Sequence, residues 1–163
     1  MQLSEPRKLP GDEFRGAAES ISAGPPTTHT HREDIMADAT IGSILLASTQ
    51  PNRLRDWYTA AFSPKVERTP GEPGYDVLDF DGFYIMLDRR DDVGDTNPEP
   101  GRVLLNVEVT DARAAADRID ELGATWLSPL EDRDGSWFST AVDPDGNYVQ
   151  IIQLSAQARA EMS

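Results

Sequence analysis

The 163-residue chain contains no cysteine and only two histidines, His29 and His31, both within its first 35 residues. From Met36 to Ser163 neither residue type occurs. That absence excludes a disulfide framework, a thiolate nucleophile, an iron–sulfur cluster, a zinc finger and a Ser-His-Asp triad from the later region. Any metal there would need oxygen ligands, mainly carboxylates. Long apolar runs are also missing, so no transmembrane segment is expected, and residues 1–35 lack the apolar stretch of a signal peptide. Positive charge is scarce. The 15 Lys and Arg face 29 Asp and Glu, a formal net charge of −14. Most of that surplus lies after residue 35, because the first 35 residues hold four basic and six acidic groups. Such a surface repels phosphate backbones and attracts cations, so nucleic acid is not an expected partner. The expectation is a cytoplasmic protein with no membrane partner.

Residues 1–35 differ from the rest. Pro6, Pro10, Gly11, Gly16, Gly24, Pro25 and Pro26 precede a polar run ending in Glu33-Asp34. Apolar residues there are sparse and follow no period, so a disordered extension is expected. Either it is a flexible tail, or translation begins at Met36, immediately before the regular pattern. His29 and His31 on such a segment make a poor metal site.

A regular order follows. Ile41–Ala47 reads as a strand. Pro51 opens a helix, with Ser48 and Thr49 as candidate caps. Leu54, Trp57, Tyr58, Ala61 and Phe62 form its buried face. Lys65–Thr69 is a short edge strand, and Tyr75–Phe80 and Phe83–Asp88 flank the hairpin turn Asp81-Gly82. Residues 89–101 read as a linker. Val103–Val109 is the next strand. Asp111 then caps a helix with the stripe Ala112, Ala115, Ala116, Ile119 and Leu122, and Gly123 ends it. Strands Ala124–Leu130, Ser136–Val142 and Tyr148–Leu154 follow, separated by Asp134-Gly135 and by Asp143-Pro144-Asp145-Gly146-Asn147. A polar helical end starts at Ser155.

Strand, helix and three strands therefore occur twice, and turn chemistry, helix face and strand order all agree on the repeat. Three pieces carry a family likeness. They are Ile41-Gly42-Ser43-Ile44-Leu45-Leu46 leading to Trp57-Tyr58, Val107-Glu108-Val109-Thr110-Asp111 entering an Ala-rich helix, and the Asp143–Asn147 turn. Together they resemble the vicinal oxygen chelate superfamily of glyoxalase I, extradiol dioxygenases and bleomycin-resistance proteins. The resemblance covers about residues 40–154 within a domain of residues 36–163. It implies an α+β fold of two βαβββ modules, about residues 40–90 and 102–154, forming a curved mixed-sheet cup. Family enzymes hold a divalent metal with one residue from each of four strands. Here those positions fall on Ser43, Met86, Leu104 and Gln150, of which only Gln150 is a plausible ligand. No metal site and no cofactor are therefore expected.

Strand alternation sorts the faces. Val103, Leu105, Val107 and Val109 form one apolar row, and Phe83, Ile85 and Leu87 another, both facing the helices. The opposite faces carry Leu104, Asn106, Glu108, Tyr84, Met86 and Asp88. With Val142 and Val149 assigned to the apolar side, Trp137, Ser139, Tyr148, Gln150 and Ile152 join the cup. Ligand contacts are thus expected from Ser43, Tyr84, Met86, Leu104, Asn106, Glu108, Trp137, Ser139, Tyr148 and Gln150, a mixed lining suited to a small organic molecule. Each has a plainer reading: Glu108 and Asn106 as solvated strand-end residues, Trp137 and Tyr84 as core or dimer-interface residues, Gln150 as a sheet residue. Glu131–Gly135, Asp79, Asp81 and Asp143 read as turn formers. The expectation is a metal-free, homodimeric small-molecule-binding protein that captures a cationic or aromatic ligand. The alternatives are a lyase, isomerase or dioxygenase-type enzyme, with Glu108 as base if metal-free, and an interaction or regulatory module.

Overall fold

A computed structural model describes residues 40–72 and 74–162. The expected disordered extension, its two histidines and the alternative start at Met36 lie outside the described residues. The element order is β1 (Ser43–Ser48), α1 (Pro51–Phe62), β2 (Lys65–Arg68), β3 (Asp76–Phe80), β4 (Phe83–Arg89), β5 (Leu104–Glu108), α2 (Ala112–Glu121), β6 (Thr125–Arg133), β7 (Ser136–Val142), β8 (Tyr148–Gln153) and α3 (Ala156–Glu161). The strands form two four-stranded mixed sheets, β1-β4-β3-β2 and β5-β8-β7-β6. β1 runs parallel to β4 and β5 parallel to β8, while all other neighbours are antiparallel. This is the α+β fold of two βαβββ units.

Local chemistry explains most boundaries. Pro51 starts α1 with its fixed φ and missing N–H. The candidate caps act differently from expectation: Gln50 is the N-cap without a side-chain bond, Ser48 Oγ accepts from Gln50 N–H, and Thr49 donates to Asp95. Ser63 ends α1 in the left-handed region, φ 54°, and Pro64 prevents continuation. Asp111 caps α2 by accepting from Ala114 N–H at 3.0 Å. Leu122 is the C-cap and 40% exposed, so it leaves the expected buried stripe. Asp81-Gly82 and Asp134-Gly135 both have positive φ at each position, as tight hairpins require. β6 runs past its expected end to Arg133, with register breaks on both sides of Ser128. Pro129 lies in the second break, where a residue without N–H cannot serve the ladder.

The core lies between helices and sheets. Leu54, Tyr58, Leu78, Ile119, Val149 and Ile151 are fully buried. Ile85, Leu87 and Val107 take their expected inward places. Ile41 and Val103 instead lie outside their strands and are exposed, and Phe83 is 38% exposed.

Polar contacts also join the modules. Tyr58 O–H donates to Asp143 Oδ2 at 3.0 Å, Arg53 pairs with Asp145 at 2.6 Å, and Arg118 Nε donates to the Ala61 carbonyl at 2.8 Å. Asp143 thus serves twice. Oδ1 accepts from the backbones of Asp145 and Asn147, which builds the turn, and Oδ2 accepts from the Asn147 amide as well as from Tyr58. Burial pushes the Tyr58 hydroxyl well above the usual phenol range, aided by the Asp143 charge. Burial also raises the Asp143 carboxyl, and its hydrogen-bond donors oppose that rise.

Candidate functional site

Cross-strand partners share a sheet face, so the register fixes which residues can meet. In the first sheet Ser43 lies opposite Tyr84, and Leu45 opposite Met86. In the second, Leu104 lies opposite Tyr148, and Asn106 opposite Gln150. The modules therefore correspond position by position: Ser43 to Leu104, Leu45 to Asn106, Tyr84 to Tyr148, and Met86 to Gln150. These side chains occupy the face opposite the buried Ile85, Leu87, Val107, Val149 and Ile151. Leu45, Tyr84 and Leu104 remain 47%, 39% and 41% exposed there.

Two expected members do not belong to that face. Trp137 pairs with Gln153, and Ser139 with Ile151. Both lie on the helix side. The Arg113 guanidinium of α2 stacks 4.2 Å above the Trp137 ring, and Gln153 accepts from the Ala112 N–H at the start of α2. Ser139 is buried and its hydroxyl has no hydrogen-bond partner. The reason is the five-residue turn 143–147, which sets Val142 opposite Tyr148, not beside Val149. Phe138, Thr140 and Val142 consequently share the open face with Ile152, Gln150 and Tyr148. Sorting by apolarity, which set Val142 with Val149, hides them.

The four strand positions implied as metal ligands present a hydroxyl, a thioether, an alkyl group and an amide. That donor set does not fit a hard or borderline divalent cation, which needs several charged oxygen or imidazole donors. Among the described residues no three His, Cys, Asp or Glu side chains converge. At the far end of the same face, Glu108 is paired with Arg159 of α3 at 2.6 Å. Asp79 and Asp132 each accept a turn N–H, from Gly82 and Gly135, as turn formers should. No helix among the described residues is long and apolar enough to cross a membrane.

A family model described as a glyoxalase-like domain matches residues 43–152. A search of curated proteins finds none that matches the sequence. Among solved structures, the chain is similar to TioX from Micromonospora sp. ML1, with 23% identity, 71% of this chain and 98% of that chain covered, and a TM-score of 0.55. It is also similar to TnmS3, an antibiotic binding protein from Streptomyces sp. CB03234, with 18% identity, 74% and 99% covered, and a TM-score of 0.57. A glyoxylase/bleomycin resistance protein/dioxygenase domain from Frankia sp. EAN1pec gives 19% identity, 73% and 100% covered, and a TM-score of 0.59. At these identities the likeness is one of fold.

Proposed function

The chain belongs to the glyoxalase-like domain family, and from that premise we propose that it is a metal-free protein that binds a small cationic or aromatic molecule on its open sheet faces. The observation that carries this reading is the donor set Ser43, Met86, Leu104 and Gln150 at the positions where family enzymes hold their metal. The remaining lining supports capture: aromatic and aliphatic surface from Tyr84, Leu104 and Tyr148, with the amides of Asn106 and Gln150 at the centre. The net charge of −14 favours cations. The fold likeness to an antibiotic binding protein agrees with this assignment. A homodimer belongs to the same proposal, because half-exposed Leu45, Tyr84 and Leu104 on a sheet face gain by being covered.

Catalysis by Glu108 as base is less well supported, since Arg159 already holds that carboxylate. The test is a thermal-shift and calorimetric screen of the purified chain against cationic and aromatic antibiotics, with and without a chelator. Saturable binding that survives chelation is expected, and it should weaken about tenfold in Gln150→Ala if the amide makes one good hydrogen bond. A stoichiometric divalent metal in elemental analysis, lost in Gln150→Ala, would overturn the metal-free assignment. Absence of any binding removes drug capture.

A further inference from the structure

The register of the second sheet sets its open-face side chains in rows. One row crosses all four strands: Asn106 opposite Gln150, Gln150 opposite Thr140, and Thr140 opposite Ser128. Two carboxamides and two hydroxyls therefore stand side by side, with about 5 Å between directly opposed residues. All four are uncharged, and each can both donate and accept. None of them makes a side-chain hydrogen bond among the described residues. Asn106 is exposed, Gln150 and Ser128 are half-buried, and Thr140 is only 6% exposed. Among the described residues, the hydroxyls sealed from solvent without a partner are those of Thr59 and Ser139. The Thr140 hydroxyl, unpartnered but not sealed, is therefore within reach of a ligand.

The fold does not require this chemistry. The equivalent row of the first sheet is Leu45, Met86, Val77 and Glu67, three apolar side chains and a carboxylate at the sheet edge. The same ladder is thus built once with apolar and once with hydrogen-bonding side chains. Polar groups left without protein partners on a half-buried face weaken folding unless water or a ligand satisfies them. The neighbouring rows of the second sheet are apolar. Tyr148 and Val142 flank the polar row on one side, Ile152 and Phe138 on the other. Phe138 already carries the Arg133 guanidinium, 5.3 Å from its ring centre. The Tyr148 side is the freer surface for an aromatic body.

We propose that this row recognises an uncharged amide, a carboxamide or lactam carried on an aromatic ring. The amide lies on Gln150 and Thr140, and the ring lies against Tyr148 and Val142. Residues two apart along a strand stand about 7 Å from each other, a distance that one fused bicyclic molecule spans. A ligand amide brings both donor and acceptor, which Gln150 and Thr140 match with either orientation of the Gln150 carboxamide. An ion would meet no opposite charge in the row. An analogue without the amide leaves Gln150 and Thr140 facing an apolar surface, and the discrimination arises there. This inference rests on the small-molecule reading. It narrows the ligand to a neutral aromatic amide and adds Thr140 as the residue that selects it.

The test titrates three probes into the 15N-labelled full chain and follows amide shifts. They are 2-quinolone, a lactam on an aromatic ring; quinoline, which keeps the ring without the amide; and the cation 1-naphthylmethylammonium. 2-Quinolone should shift Thr140, Val142, Tyr148 and Gln150 and bind about three- to tenfold tighter than quinoline. Thr140→Val should weaken 2-quinolone about three- to tenfold and leave quinoline unchanged. Its thermal midpoint should not fall, because the hydroxyl has no bond to lose in the folded protein. Gln150→Leu, at a half-buried position, should give the same selective loss. Equal affinity for 2-quinolone and quinoline overturns the inference, and so does a Thr140→Val variant that weakens both alike, as a merely structural role would. Tighter binding of the ammonium than of 2-quinolone also overturns it, but leaves the small-molecule reading standing. Binding of none of the three counts against both.

Discussion

Tyr58 and Asp143 illustrate how much one buried hydrogen bond can ask of two side chains. The phenol is fully buried on α1, and its acceptor belongs to a turn 85 residues later. Removing the hydroxyl leaves Asp143 with three donors instead of four and breaks a link between the modules. Tyr58→Phe should therefore lose about 1–3 kcal/mol of stability, measured by urea denaturation at neutral pH. The pH dependence has a definite sign. The folded protein holds the Tyr58 proton more tightly than the unfolded chain, whose tyrosines titrate near pH 10. The contribution of the tyrosine is full below about pH 10 and is lost as pH climbs from there toward the raised folded value. Tyr58→Phe should accordingly show a shallower alkaline loss of stability than the native chain. An equally steep loss in both would place the alkaline transition on another group.

At the scale of elements, α2 depends on one cap and one buried stripe. Asp111→Ala frees the Ala114 N–H and should cost about 0.5–2 kcal/mol in thermal or chemical denaturation. Ile119 is fully buried within the stripe, and Ile119→Ala should cost about 2–5 kcal/mol, since a cavity is left beside Ala115 and the core. The contrast between these two losses tests whether packing outweighs capping in holding the helix. β6 behaves differently. Its register breaks beside Ser128 and Pro129 deprive it of a regular ladder, so its amides should exchange with solvent faster than those of β8, which is paired on both sides.

For the whole molecule, the question is what covers the open faces. Leu45, Tyr84 and Leu104 are exposed in a single chain, although Ile85, Leu87 and Val107 on the other face of the sheets are buried. If two copies close over them, light scattering should find a dimer, and a paired Leu45→Arg, Leu104→Arg variant should run as a monomer with its fold intact. A native chain that is monomeric at all concentrations would confine binding to one chain's own surface. The −14 charge also predicts that affinity for cationic ligands falls with added salt, most steeply at low ionic strength.

The order of elements, both hairpin turns, the Asp111 cap and the duplicated βαβββ plan are legible along the chain, because turn chemistry and apolar periodicity act over a few residues. Once the family resemblance assigns Ser43, Met86, Leu104 and Gln150 to the metal-holding positions, their poverty in donors is legible from residue type. The register across the Asp143–Asn147 turn emerges in the folded protein, where it sets Trp137 and Ser139 under α2 and brings Phe138, Thr140 and Val142 to the open face. The fold alone places Arg159 against Glu108 and Tyr58 against Asp143. These pairings join residues far apart in the chain, where no local pattern constrains distance and only the packing of two modules brings the partners together.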